Sequence, residues 1–417
     1  MHPGRQKYNR RYFLASLLFM LSSCAPLAGS ASKATPIPSG SATAKPAAVT
    51  TTPTPLTEGE LAAKIVQHMT LEEKLGQMVI VEFYGPVLND DLREMISVNQ
   101  VSGVLIENKN GNAQTRSQLT ALNQAMQAQA RIPLFISTDY EGGLINELRR
   151  ITGERPSEAS IGATKNPQTA YDAGKNAATD LAQLGLNVNF MPVVDVLTNP
   201  KNPGLPQRTF GSDPTLVTNM GRAYLKGLTD GSVIGCLKHF PGLGSANLDP
   251  HLALPTMNRG LDALNAVDLV PYRVLIGEGV VPMVMVTHIL NPQLDPKLPT
   301  SLSPAVITKL LRRDLNFQGV VISDTLWMGG ISNTYNLAQA AVLAVTAGTD
   351  LLLGPRGLQE TRTMLAGLQQ AVNKGDIPSE QIDASVTRIL TLKLKYRLIT
   401  QDIAQRLAMG ASAGEKH

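Results

Sequence analysis

The chain has 417 residues, 43% of them hydrophobic and only 4% aromatic, with 37 Lys plus Arg against 33 Asp plus Glu. It is too long for one small module and too apolar for a disordered chain, and its two cysteines exclude a disulfide-dense scaffold. The net charge of +4 invites a nucleic-acid reading until it is located: residues 1–57 hold six basic residues (Arg5, Lys7, Arg10, Arg11, Lys33, Lys45) and no acidic one. Taking those six from the 37 leaves 31 basic residues against 33 acidic ones, so bulk charge gives no support to nucleic-acid binding, and no nucleic-acid partner is expected.

Four of those cations precede the apolar stretch Tyr12 to Ser23, which ends at Cys24. That stretch falls short of the ~20 residues a membrane-crossing helix needs. A basic segment, a short apolar segment and small residues before a cut site describe a signal peptide over residues 1–23. Leu21-Ser22-Ser23-Cys24 resembles the bacterial lipobox, whose cysteine becomes the lipidated N-terminus, and Arg10-Arg11-Tyr12-Phe13-Leu14 resembles a twin-arginine export signal. Cys24 is therefore the expected lipidation site, and the expected location is the cell surface through a membrane anchor, with plain secretion as the alternative. Residues 24–57 are almost entirely Ala, Pro, Ser, Thr and Gly after the cysteine. They cannot bury enough surface to offset their ordering entropy and read as a tether. Cys236 is left without a partner and is expected to be a buried, reduced thiol.

From residue 58 onward apolar runs alternate with helical patterns. The runs are Leu75–Phe83, Val101–Glu107, Pro133–Asp139, Asn187–Val196, Gly235–Phe240, Pro282–Ile289, Gly319–Asp324 and Asp350–Pro355. Helical spacing lies between most of them, as in Ser117–Ala130, Ala170–Leu184 and Ala338–Ala347. Continuous apolar strands alternating with helices predict a parallel sheet with helices on its outer face. Eight such units predict an α/β fold, a (β/α)8 TIM barrel spanning residues 58–400 as one domain, with a tail at 401–417. An open doubly wound sheet fits less well, because no glycine-rich phosphate turn follows the first strand.

Asp139, Asp195, Lys238, His239, His288 and Asp324 each fall at or just past the C-terminal end of a predicted strand, the face on which barrels of this kind place their chemistry. One such residue has an ordinary structural explanation; six on one face point to a site. The most specific stretch is Lys238-His239-Phe240-Pro241-Gly242-Leu243-Gly244, followed by Asp249-Pro250-His251. An imidazole beside a carboxylate can exchange protons near neutral pH, although Asp-x-His alone also fits a capped turn.

The stretch from Lys238 to His251 resembles the signature of family 3 glycoside hydrolases of the bacterial β-N-acetylglucosaminidase (β-N-acetylhexosaminidase) type. Three further segments resemble that family's in the same order: Thr138-Asp139-Tyr140-Glu141-Gly142-Gly143, Asn202-Pro203 through Arg208-Thr209-Phe210-Gly211-Ser212-Asp213-Pro214, and Ile322-Ser323-Asp324-Thr325-Leu326-Trp327-Met328. The resemblance spans about residues 60–400. It implies a (β/α)8 barrel of the single-domain type, whose acid comes from the barrel's own loop. By position, it implies Asp324 as nucleophile, His251 as acid and base with Asp249 as its partner, and Asp139, Arg208, Lys238 and His239 as sugar-binding groups. No metal and no cofactor are expected. A carbohydrate is the expected substrate, the membrane the expected anchor, and a monomer the expected state.

The chain departs from the pattern in two places. After Gly142-Gly143 the family continues Arg-Val-x-Arg, where this chain has Leu144-Ile145-Asn146-Glu147, so a carboxylate stands where a cation is expected; Arg149 or Arg150 could substitute only by a change of direction. Pro250 replaces a small hydroxyl residue between Asp249 and His251. These departures leave three functions open: an exo-acting retaining β-N-acetylglucosaminidase acting on cell-wall fragments or related glycans, a related β-glycosidase or phosphorylase with another sugar preference, and a catalytically weak glycan-binding lipoprotein. Trp327, the only tryptophan, fits packing beside the site or a sugar-stacking platform.

Overall fold

The computed structural model describes residues 56–410. The expected signal peptide, Cys24 and nearly all of the tether lie outside the described residues.

Eight parallel strands form a closed ring. They are β1 (Val79–Glu82), β2 (Gly103–Ile106), β3 (Phe135–Thr138), β4 (Val188–Asn189), β5 in two pieces (Ile234–Gly235 and Leu237–Phe240), β6 (Met283–Val286), β7 (Val320–Ser323) and β8 (Leu352–Arg356). Neighbours in sequence are neighbours in space, from Ile80 beside Gly103 to Val188 beside Ile234 and Met283 beside Val320. Two short bridges, Val193 with Lys238 and Ile322 with Leu351, carry the ladder across its irregular steps. Pairing of Val79 with Leu352 and Ile80 with Leu353 closes the circle. The (β/α)8 barrel predicted from the eight apolar runs is thus the observed fold. Nearly every strand residue is buried, as expected for strands covered by side chains inside and helices outside.

Each strand is followed by a helix: α1 (Asp90–Ser97), α2 (Arg116–Gln129), α3 (Pro167–Leu184), α4 (Pro214–Asp230), α5 (Val270–Gly277), α6 (Ala305–Asp314), α7 (Leu337–Ala347) and α8 (Leu358–Lys374). Local chemistry sets their starts. Asn166 and Asp213 cap α3 and α4, each with proline in the first turn, and Asn336 with Gln339 forms a capping box on α7. The winding of α6 is wider than that of an α-helix, with Lys309 N donating to the Pro304 carbonyl and Leu315 N to that of Leu310.

Helices Glu58–Gln67, Leu71–Gly76 and Ser379–Lys395 pack at the N-terminal end of the barrel. Residues 401–408, expected as the start of a tail, form a further helix, Gln401–Ala408, capped by Thr400 and burying Ala404 and Leu407 beside Glu58–Gln67. Cys236 is a buried free thiol in the middle of β5, and burial raises its pKa.

Candidate active site

All eight strands deliver a polar or charged side chain to the C-terminal end of the ring: Glu82, Glu107, Asp139, Asp195, Lys238 with His239, His288, Asp324 and Arg356. Four of these, together with Glu141 and Arg208, form two buried networks.

The first begins past β3, where the chain turns into a small hairpin, Tyr140–Gly142 against Ile145–Asn146. Gly142 (φ 87°) and Gly143 (φ 53°) make its turn in a region that favours glycine. Asp139 and Glu141 stand two residues apart and so share one side of the extended chain. Lys238 Nζ, 2% exposed, lies 2.5 Å from Asp139 Oδ1 and 2.6 Å from Glu141 Oε1. Arg208 donates from Nε and Nη2 to the two oxygens of Glu141 at 2.8 Å each, so two of its three nitrogens are already committed. Burial disfavours the Glu141 carboxylate, but Arg208 and Lys238 outweigh it and hold the pKa at about 2. Burial likewise opposes the Lys238 ammonium, which Asp139 and Glu141 more than restore. Glu141, Arg208 and Lys238 are therefore charged and held together, with Asp139 bonded to Lys238. Glu141 received no role from the sequence, although its Asp-x-Glu spacing placed it beside Asp139.

The second network orients an imidazole. Asp195, past β4, is fully buried; its Oδ2 faces His239 Nδ1 at 2.7 Å, and its Oδ1 accepts from Leu243 N at 2.5 Å. One carboxylate thereby fixes both the His239 ring and the start of the loop that carries Asp249 and His251.

Asp324 lies one residue past β7. Its Oδ1 accepts the Thr325 N–H at 2.8 Å, and it keeps partial exposure at the floor of the mouth. Burial raises its pKa, but His288, His239 and His251, when protonated, and the Thr325 N–H outweigh that and lower it. The carboxyl is therefore ionised over the ordinary pH range. His288 is buried beside it, and burial lowers its pKa. Its Nε2 faces the Thr325 carbonyl at 3.0 Å and its Nδ1 the Ser301 hydroxyl at 2.7 Å. A carbonyl can only accept, so Nε2 carries the proton and Ser301 donates to Nδ1.

The loop after β5 presents Asp249 and His251. Asp249 Oδ1 accepts from His251 N at 2.9 Å and lies 2.7 Å from His251 Nδ1. Burial works against the Asp249 carboxylate, yet the His251 N–H and imidazole lower its pKa. An ionised carboxylate accepts from Nδ1–H, which leaves Nε2 free to face the cleft; the His251 side chain is 58% exposed.

The remaining strand ends form the opposite wall. Trp327 Nε1 donates to Glu82 Oε1 at 2.5 Å, and its ring carries Lys109 Nζ at 4.9 Å and the Arg356 guanidinium at 5.4 Å from the centroid. Asn110 Nδ2 donates to Glu107 at 2.7 Å and reaches Glu82 at 3.4 Å, while Lys109 pairs with Glu107 at 2.8 Å. Trp327 therefore packs at a charged junction of β1, β2 and β8. Glu147 accepts from Asn108 N at 2.6 Å, and burial, with Asp139 nearby, raises its pKa. Arg149 does not replace the missing cation: it pairs with Glu154 at 3.2 Å and donates to the Gly143 carbonyl.

The model of the Glycosyl hydrolase family 3 N terminal domain matches residues 70–392. Beta-hexosaminidase LpqI of Mycobacterium tuberculosis is 34% identical over 370 residues, covering 85% of this chain and 92% of the relative. Beta-hexosaminidase A of Pseudoalteromonas piscicida is 35% identical over 367 residues; the match covers 78% of this chain but only 61% of that longer relative. Among solved structures, a glycoside hydrolase family 3 beta-N-acetylglucosaminidase from Paenibacillus sp. str. FPU-7 superposes with a TM-score of 0.77 at 34% identity, over 83% of this chain and 70% of that one.

Proposed function

Because the chain belongs to glycosyl hydrolase family 3 and is a glycoside hydrolase, we propose that it is an exo-acting, retaining β-N-acetylglucosaminidase that releases terminal β-linked N-acetylglucosamine from cell-wall fragments or related glycans. The observation that carries this reading is a carboxylate, Asp324, at the end of β7, with an Asp249-bonded imidazole, His251, on a loop whose backbone is bonded to the turn that follows Asp324. In the first step Asp324 attacks the anomeric carbon, the glycosidic C–O bond breaks, and His251 Nε2–H protonates the departing oxygen. In the second, the now neutral His251 takes a proton from water, the hydroxide oxygen bonds to the anomeric carbon, and the bond to Asp324 breaks. Two inversions give retention. Lys238, Asp139, His239 and the uncommitted edge of Arg208 hold the sugar, and charge-assisted bonds give them a strong grip. The expected leader and Cys24 deliver this chemistry to the cell surface through a membrane anchor; palmitate label that persists in Cys24→Ala would overturn the anchoring.

A panel of 4-nitrophenyl β-glycosides tests the activity. The N-acetylglucosaminide should be turned over by the wild type and not by Asp324→Ala. His251→Ala should lose about 10²-fold or more. Azide should restore Asp324→Ala through a glycosyl azide. Equal turnover by wild type and Asp324→Ala would sink the assignment.

A further inference from the structure

The loop bearing Asp249 and His251 is tied down at three places. At its foot, Asn202 Nδ2 donates to the Leu243 carbonyl at 2.9 Å and Asn199 Nδ2 to that of Ala246 at 3.0 Å. On its return, Thr256 bridges to Leu290, and Leu290 N donates to the Pro255 carbonyl at 2.9 Å. The crest between them, Pro250-His251-Leu252, is held from a single quarter. Gly330 N donates to the Pro250 carbonyl at 3.0 Å, Gly329 N to the His251 carbonyl at 3.1 Å, and Asn333 Nδ2 to the Leu252 carbonyl at 3.3 Å. Three consecutive carbonyls of one loop are received by one turn of another, and that turn begins five residues after Asp324.

Backbone meets backbone here only because both residues are glycine. A Cβ on Gly329 would sit inside the van der Waals shell of the Leu252 carbonyl and 3.0 Å from that of His251. One on Gly330 would lie 3.1 Å from the Pro250 carbonyl and 3.3 Å from His288 Cβ. Neither glycine has positive φ, so alanine would strain the docking and not the turn itself. Outside this contact the crest bonds to itself, Leu252 N to the Asp249 carbonyl at 3.0 Å; Pro250 is buried, while the His251 and Leu252 side chains are exposed.

We infer that Gly329, Gly330 and Asn333 are positioning residues: they form a latch that fixes the loop bearing His251 to the same β7–α7 segment that bears Asp324, and so set the spacing between acid and nucleophile. The inference rests on the roles proposed above for Asp324 and His251. A His251 ring mounted on a free crest would occupy many positions, of which few reach the leaving oxygen. The latch removes that freedom without touching substrate.

The test uses leaving groups. A 2,4-dinitrophenolate departs without a proton, whereas phenol, of pKa about 10, needs one. The quantity read is kcat/KM, which reports glycosylation alone, for both aryl β-glycosides of whichever sugar the wild type cleaves. Gly329→Ala should lose about 10²-fold on the phenyl glycoside and stay near wild type on the dinitrophenyl one, matching the pattern of His251→Ala. Placed in the His251→Ala background it should add nothing. Asn333→Ala, which leaves the backbone untouched, should show the same selectivity at about fivefold, the worth of one hydrogen bond. Equal losses on both substrates, or an additive loss in the double variant, would overturn the positioning role. Hydrogen exchange of residues 245–258 judges the latch separately from the chemistry: faster exchange is expected in Gly329→Ala, and unchanged exchange overturns the docking. A wild type inactive on every glycoside would refute the proposed function and leave the exchange result to decide the latch.

Discussion

Glu141 and Glu107 show how the same side chain is driven in opposite directions at the two sides of the mouth. Glu141 is held at about 2 because two cations face it, Arg208 and Lys238. Its contribution to stability is therefore complete above the ordinary carboxylate value of 4.5 and is lost as pH falls through about 2. Removing it leaves both cations buried and underpaired, so Glu141→Ala should cost about 3–5 kcal/mol in urea unfolding at pH 7. Glu107 has burial and the neighbouring Glu82 against its charge, and these win over Lys109, raising it to about 8. Its contribution is present below 4.5 and lost as pH rises through about 8. The consequence is visible in one place. Glu107 is linked through Asn110 to Glu82, which holds the indole of the only tryptophan, Trp327. Trp327 fluorescence should titrate with a midpoint near pH 8, and the transition should vanish in Glu107→Gln; a titration that survives that substitution would assign the proton elsewhere.

At the level of elements, the hairpin after β3 carries Asp139 and Glu141 into the mouth, and its turn depends on Gly142 and Gly143. A Cβ on Gly143 would meet Ser157 Cβ at 2.6 Å, on a backbone at φ 53°. Gly143→Ala should destabilise by about 1–3 kcal/mol and lower kcat/KM further than the stability loss explains, because the network with Lys238 and Arg208 shifts with the hairpin. Intact kinetics would show that the hairpin holds these groups loosely. The eight strands were legible because residues buried on both faces must be apolar without a break, and the charged strand ends were legible because nothing apolar explains them. Glu141's double pairing was not, since Asp139 and Glu141 share a side only if the chain stays extended past β3 into that hairpin. The docking of Pro250-His251-Leu252 on Gly329 and Gly330 was hidden for a different reason: it exists only once the ring has brought two loops distant in sequence together. The wide winding of α6 has no signal in Ala305–Asp314, whose composition suits an ordinary helix. The helix Gln401–Ala408 was there to be read, with Thr400 as its cap and Ile403 and Leu407 four apart.

For the whole molecule, the end of the barrel opposite the mouth is divided from the chemistry and serves stability alone. At the end opposite the mouth, Asp350 is fully buried just before β8. Its Oδ2 accepts from Val321 N at 2.8 Å and pairs with Arg312, and its Oδ1 accepts from Arg388 Nε at 3.0 Å. Arg312 also donates to the Phe317 and Gly319 carbonyls that lead into β7, at 3.1 and 2.5 Å. One carboxylate thus ties α6, β7 and the helix Ser379–Lys395 together at the point where the last strand returns to the first. Asp350→Ala leaves two guanidiniums facing a vacated buried site and should cost about 3–5 kcal/mol, yet the protein that remains folded at 25 °C should turn over substrate at the wild-type kcat. Asp324→Ala should do the reverse, abolishing turnover while changing the urea midpoint little, because among the described residues its carboxylate makes no salt bridge and its side-chain hydrogen bond goes to the adjacent Thr325 N–H. Measuring both quantities on both variants tests the division directly. If Asp350→Ala lowered kcat in the folded fraction, closure of the ring would be coupled to the geometry of the mouth, and the strand ends would have to be treated as one mechanical unit with the bottom of the barrel.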